Sequence, residues 1–217
     1  MSLITIYGIN GVGKDTVANE LRKNNPDLSV ASISRILMYI LGITRTYDVS
    51  EKVGEEQYKI LESVPQEKMI AIENNEYKEL LYEISNSKEN LIILSHLISA
   101  LRHGDKVQYL TDRTTPDWYI DLNQALIQLV APTDIISARR KNDLLRKRDI
   151  SASEIEYHQM LCTKEWERIQ QVNMDVGNKM FVVNNIDLLT ATSEVETIIY
   201  GEPKKLIKTR SDNKWRI

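Results

Sequence analysis

The sequence predicts a three-layer α/β fold, a central parallel sheet flanked by helices, carrying a small helical lid. Three observations predict it. Residues 3–7 (LITIY) form an apolar run that stops at Gly8, and Val17, Ala18 and Leu21 then share one helical face, so a strand passes through a glycine loop into a helix. A second run, residues 28–33, is again followed by a helical pattern over about residues 34–41, and alternation of this kind builds parallel sheets. The run Leu91-Ile92-Ile93-Leu94 is apolar throughout, as a strand covered on both faces requires.

The remaining elements follow in order. Asn24, Asn25 and Pro26 end the first helix. Residues 55–87 repeat apolar side chains at helical spacing, broken at Pro65, and predict two or more helices over a face or cleft. The apolar strand exits at Ser95-His96, and Gly104-Asp105 is placed to turn a hairpin before Asp112. A helix over about 116–123, a strand over 125–130 and a basic helix after Pro132 come next. Residues 151–173 read as helix, with Ser151 and Glu154 as a capping box. Residues 179–183 form the last strand and about 187–200 the last helix. Residues 1–200 are thus expected to form one domain, with its lid at about 139–173. Residues 201–217 hold six basic and two acidic residues around Trp215, and are expected to be a basic tail without fixed structure.

Composition narrows the partners. The 217 residues are 42% hydrophobic and 27% charged, the balance of a globular domain. A net charge of -3 gives no general attraction to nucleic acid or to an anionic membrane, so phosphate recognition must come from local basic clusters. Small phosphorylated ligands are the expected partners, and homo-oligomerisation is left open. Cys162 is the single cysteine, which excludes an internal disulfide and a multi-cysteine zinc site and suits a reducing, cytoplasmic setting. The first ten residues lack a basic and then apolar leader, and no apolar run is long enough to span a bilayer.

The chemistry is concentrated in Gly8-Ile-Asn-Gly-Val-Gly-Lys14-Asp15, which fits G-x-x-x-x-G-K with Asp where Ser or Thr is usual. Glycines at 8, 11 and 13 allow backbone angles closed to other residues, so the N–H groups of Asn10, Gly11, Val12, Gly13 and Lys14 can turn inward around a β-phosphate. The helix that follows adds its positive end, and the Lys14 ammonium reaches the β- and γ-phosphates. ATP or GTP is the expected ligand of this P-loop. Asp15 is a hard oxygen ligand suited to Mg²⁺, with Thr16 as a substitute. The GKDT segment resembles that of phage-type deoxynucleoside monophosphate kinases.

The second constellation is Arg139, Arg140, Lys141, Arg146, Lys147 and Arg148, six cations within ten residues, followed by Asp149, His158 and Gln159. Such crowding calls for an anion, and a migrating phosphoryl group supplies one. The stretch ARRKNDLLRKRDISASEIEYHQ resembles the lid of archaeal-type adenylate kinases, members of the P-loop nucleoside monophosphate kinases. The resemblance implies that Arg146 and Arg148 hold the transferred phosphate, that Arg139 or Arg140 holds phosphate from the preceding helix, and that His96 matches a histidine after the third strand. It also implies an acid two residues before that histidine, where this chain has Leu94. Asp112 is the replacement the sequence offers, and Arg113 beside it a binder of acceptor phosphate.

In folds of this class the acceptor lies beyond the carboxyl ends of the strands. That location nominates Ser32, Ser34, Arg35, Ser95 and His96, with Asn184 and Asn185 beside the nucleobase of ATP. Taken together, the expectation is an enzyme with Lys14, Arg140, Arg146 and Arg148 as its catalytic cations, ATP and Mg²⁺ as cofactors, and a nucleoside monophosphate, AMP first, as acceptor. The alternatives are a kinase of a deoxynucleotide or a non-nucleotide small molecule, and a slow P-loop ATPase acting through a protein or ribonucleoprotein partner.

Overall fold

In the computed structural model the described residues are 3–87, 90–96, 99–103, 106–110, 115–142, 151–172, 179–201, 207–208 and 215–216. Five strands, β1 (Leu3–Tyr7), β2 (Leu28–Ser32), β3 (Asn90–Ser95), β6 (Ala125–Val130) and β7 (Met180–Asn184), form one sheet in the order β2-β3-β1-β6-β7. Every pairing in it is parallel. All five residues of β1 are buried because it is the middle strand with helices above and below.

Helix α1 (Lys14–Asn24) opens at Lys14, earlier than its apolar stripe suggested, because Gly13 caps it in the left-handed region; its inner face is Val17, Ala18 and Leu21. Strand β2 stops at Ser32 rather than at residue 33, since the Ser32 hydroxyl accepts from the Arg35 amide and starts α2 (Ile33–Ile40). The helical stretch before β3 resolves into three pieces, α3 (Glu55–Ser63), α4 (Gln66–Asn74) and α5 (Glu76–Asn86). Helix α5 buries Tyr77, Leu81 and Ile84, whereas α3 buries no residue. Beyond β3, β4 (Ser99–His103) and β5 (Lys106–Leu110) pair antiparallel; the turn expected at Gly104-Asp105 lies outside the described residues.

Helix α6 (Asp117–Leu122) is tied to the central strand by a buried polar cluster. Thr5 Oγ1 donates to Asn123 Oδ1 at 2.7 Å and lies 2.8 Å from the Tyr119 hydroxyl, so the Thr5 hydroxyl buried at the centre of β1 is satisfied. Burial pushes the Tyr119 phenol up to about 12. Helix α7 (Thr133–Lys141) ends in Arg139, Arg140 and Lys141, and α8 (Ala152–Val172) follows. The Ser151 hydroxyl accepts from the Glu154 amide at 3.4 Å, the forward half of the capping box read from the sequence.

Within the expected lid, α8 buries Ile155, Cys162, Trp166 and Ile169 in the main core, so four apolar positions at helical spacing bind this helix to the domain. Residues 143–150, with Arg146 and Arg148, lie outside the described residues. Helix α9 (Leu188–Tyr200) starts at Asp187, whose carboxylate accepts from the Thr190 amide. In the tail, β8 (Ile207–Lys208) pairs with β9 (Trp215–Arg216), where the sequence reading expected no fixed structure.

Asp48 finishes the β2 edge. Its carboxylate accepts from the amides of Val30 and Ser50 and pairs with Arg22 at 3.0 Å. Partial burial works against the charge, but the hydrogen bonds from Ser50 and Val30 and the Arg22 cation outweigh it and hold the carboxyl below its ordinary 3.8. A depressed folded value contributes stability above the unfolded value that is lost as pH falls through the folded one. Thermal melts are therefore expected to show a loss of stability below about pH 4 that Asp48→Asn diminishes; an unchanged acid limb in the variant would show that other carboxylates set it.

Candidate active site

The chain leaves the carboxyl end of β1 into residues 8–13, which wrap back over the sheet. Gly8 has no room for a side chain, since a Cβ there would lie 2.7 Å from Val12 Cγ1 and 2.9 Å from the Leu129 carbonyl. Gly13 has φ +98, and a Cβ would meet Asn185 Nδ2 at 2.5 Å. Gly11 is covered by Arg140 and Ile136. Within the loop the Val12 amide donates to the Ile9 carbonyl, and the buried Val12 side chain anchors the turn in the core.

Lys14 is only 7% exposed. Its ammonium donates to the Gly8 carbonyl at 2.6 Å and the Ile9 carbonyl at 3.2 Å, so it lies along its own loop, where a β-phosphate would be enclosed. Asp15 and Thr16 stand exposed in the first turn of α1. Both are hard oxygen donors beside the loop and fit a small divalent cation that is also held by phosphate oxygens. Among the described residues, no cluster of three or more His, Cys, Asp or Glu could hold a metal by itself.

Three of the residues expected at the ligands lie against the backbone of the loop. His96 was assigned to the acceptor, but its Nδ1 lies 3.0 Å from the Gly8 carbonyl and 3.5 Å from Lys14 Nζ. It stands there because β3 runs beside β1 in register, with Tyr7 opposite Ser95, so the next residues of the two strands meet. With the proton on Nδ1 the ring donates to Gly8; without it the ring accepts from Lys14.

Arg140, which the resemblance implies holds phosphate from the helix before the lid, is buried and donates from Nε to the Asn10 carbonyl at 2.9 Å. Its neighbour Arg139 donates to the Val12 carbonyl at 2.9 Å and to the Asn185 carbonyl at 2.9 Å. Asn185, assigned to the base of ATP, is also buried, and its Nδ2 donates to the Val12 carbonyl at 2.7 Å. Asn184 remains exposed, next to the exposed apolar Ile186 and Leu189.

Arg35 is buried rather than lying on a helix surface. It donates from Nη2 to the carbonyls of Glu51 and Val49, while Nη1 is buried without a hydrogen-bond partner. Ser32 and Ser34 pair through their hydroxyls beside it at 3.0 Å. Ser95 is buried with its hydroxyl on the His96 carbonyl, and Leu94, where the resemblance implies an acid, is buried beside Ile6. Arg113, Asp112, Arg146, Arg148 and Asp149 lie outside the described residues. His158 pairs with Glu154, and Gln159 donates to the Ala131 carbonyl at the end of β6.

Beneath the loop is a cavity of about 120 Å³ that reaches Gln128, Gln159 and Cys162. Burial raises the Cys162 thiol to about 11 against the opposing influence of Lys14, so it stays protonated and unreactive at neutral pH.

Neither a family model nor a curated protein sequence matches the chain. Solved structures do align with it over most of its length. TT1252 from Thermus thermophilus is 14% identical and aligns over 91% of this chain and 95% of its own, with a TM-score of 0.48. A shikimate kinase from Acinetobacter baumannii, solved with shikimate, is 12% identical over 92% and 93% of the two chains, with a TM-score of 0.48. A gluconokinase from Sinorhizobium meliloti is 12% identical over 91% of both, with a TM-score of 0.43. At these identities the likeness concerns the course of the chain and not the roles of residues.

Proposed function

We propose that this protein is an ATP-dependent phosphotransferase acting on a small phosphorylated acceptor, with a nucleoside monophosphate, AMP first, as the substrate. The observation that carries the reading is the glycine loop between β1 and α1, closed over the Lys14 ammonium. A backbone ring that encloses a cation against two of its own carbonyls is built to exchange those carbonyls for phosphate oxygens.

In this reading the bond from the γ-phosphorus to the bridging oxygen breaks, and one forms to an oxygen of the acceptor phosphate, giving ADP and a diphosphate. Positioning and charge carry the catalysis, so no side-chain nucleophile is needed. Lys14 binds the β- and γ-phosphates. Asp15 and Thr16 would hold Mg²⁺, which neutralises phosphate charge when bound. His96 orients Lys14, Arg146 and Arg148 attend the transferred group, and Arg113 belongs to the acceptor side. The exposed Asn184 and Ile186 form the ledge for the donor base. No helix among the described residues is long and apolar enough to cross a membrane. A cytoplasmic location belongs to the proposal.

Arg35 is the acceptor residue with the best physical support, because a buried guanidinium nitrogen without a partner is stabilised by an anion brought to it. Arg35→Met is expected to raise the KM for the phosphorylated acceptor by about 10- to 100-fold. The KM for ATP should stay within about twofold, as for contacts made to only one substrate. Equal losses for both substrates would move Arg35 out of the acceptor site.

A second reading, a slow ATPase, is favoured by the buried Leu94 at the place where an acid would order metal-bound water. A coupled assay offering MgATP with AMP, other nucleoside monophosphates, deoxynucleotides and unphosphorylated acceptors separates the two. Rapid transfer to one acceptor supports the kinase. Phosphate release at the same rate with every acceptor and with none sinks it.

A further inference from the structure

Arg139 and Arg140 of α7 and the side-chain amide of Asn185 all reach the backbone of the glycine loop, and each meets it at a carbonyl. Arg139 Nη1 and Asn185 Nδ2 converge on the Val12 carbonyl at 2.9 and 2.7 Å, and Arg140 Nε takes the Asn10 carbonyl at 2.9 Å. The peptide bonds of the described residues are trans, so the N–H of the next residue points opposite to the carbonyl that is held. Pulling the Val12 carbonyl outward turns the Gly13 N–H the other way. Pulling the Asn10 carbonyl outward does the same for Gly11.

From this we infer that Asn185 and Arg139 are a two-donor clamp that aims the Gly13 amide at the donor nucleotide's phosphate, with Arg140 aiming the Gly11 amide. They are positioning residues. This inference rests on the phosphate-loop reading of residues 8–14 and deepens it.

Three features favour a positioning role over simple packing. Asn185 is held twice, its backbone amide donating to the Val130 carbonyl at the end of β6 at 2.8 Å, so its side chain is a fixed point. Its Oδ1 is buried without a hydrogen-bond partner, a cost that an apolar residue of similar size would avoid. The approach is reciprocal, since Asn185 Nδ2 occupies the space that a Cβ on residue 13 would need. A site that only required filled volume would use an apolar side chain such as Leu at 185.

The test uses the full-length protein with Asn185→Leu, Arg139→Gln and the double variant. Asn185→Leu removes the donor and keeps the volume, so its melting temperature should equal or exceed that of the parent. In the nucleotide-free protein the Gly13 amide resonance should shift in each variant, and its hydrogen exchange should accelerate most in the double. By calorimetry with MgATP and with inorganic triphosphate, each single change is expected to weaken binding about threefold. The double is expected to weaken it by more than about thirtyfold, because two donors on one carbonyl substitute for one another and the losses are not additive.

An additive double, about tenfold, overturns the clamp, as does a Gly13 amide that stays in place in the nucleotide-free double variant. If Asn185→Leu fails to fold, Asn185→Ser supplies the same measurements. Failure of the parent protein to bind either triphosphate would refute the phosphate-loop reading itself, a result separate from the Gly13 amide measurement.

Discussion

Lys14→Met is expected to lower phosphoryl transfer by about 100- to 1000-fold, the range for removing one positioned donor from developing charge. Lys14 lies along the loop in contact with the Gly8 and Ile9 carbonyls, and His96 Nδ1 is 3.5 Å away. Its stem is almost fully buried, so methionine keeps most of the packing and removes the charge. Two loop carbonyls then lose a donor, but Ile9 keeps the Val12 amide and Gly8 stands beside His96 Nδ1, so the cost in stability is about 0.5–1.5 kcal/mol, visible in denaturant titration. The separation of the two effects is the informative result. A variant that melts near the parent and still transfers phosphate at the parental rate would remove Lys14, and with it the loop, from the reaction.

Gly13→Ala is the second change with a large expected effect. Residue 13 sits at φ +98, where an L side chain is strained, and its new Cβ would drive into Asn185 Nδ2 at 2.5 Å. Asn185 is buried and cannot swing away without releasing the Val12 carbonyl. Destabilisation of about 1–3 kcal/mol is expected, together with at least about a tenfold loss of ATP affinity. Gly42 supplies the control: it has φ +70 and no atom within 4 Å of a built Cβ, so Gly42→Ala carries strain without collision. Its destabilisation should be about 1 kcal/mol with nucleotide affinity unchanged. Equal behaviour of the two variants in both measurements would mean that strain alone, and not the contact with Asn185, governs the loop.

The sheet and its helices were legible in the sequence because local pattern determines them. The LIIL run is apolar through its length, LITIY and residues 125–130 are broken only by Thr5 and Gln128, and β1, β3 and β6 occupy those positions. Boundaries moved where a single polar atom decided them, as the Ser32 hydroxyl did at the start of α2.

The site was legible in its loop and less so around it. A run of arginines announces an anion, but a backbone carbonyl is also an acceptor, and nothing in the spacing of Arg139 and Arg140 distinguishes the two. Asn185 lies 173 residues from Val12, so their contact follows from the packing of β7 beside β6 and from no local signal. His96 was more tractable. Once β1 and β3 are taken as parallel neighbours, the residue after one strand must stand near the residue after the other, and the reading needed only that step. Arg35 was nominated by its place after β2, but its burial was hidden because its partners, the Val49 and Glu51 carbonyls, come from an irregular segment that no periodicity describes.

The strand order also bears on how the protein is made. β1 leaves the ribosome before both of its sheet neighbours, β3, completed at residue 95, and β6, completed at residue 130. The loop that follows β1 gains Arg139 and Arg140 later still, and Asn185 last of the three. Pairings this distant in sequence form slowly and expose apolar strands in the interval. A nascent chain arrested before residue 125 would carry the complete glycine motif with nothing on one flank of its strand, so the loop cannot take its final form until β6 and then Asn185 have been added. Any chaperone that guards its synthesis must therefore cover LITIY through that interval.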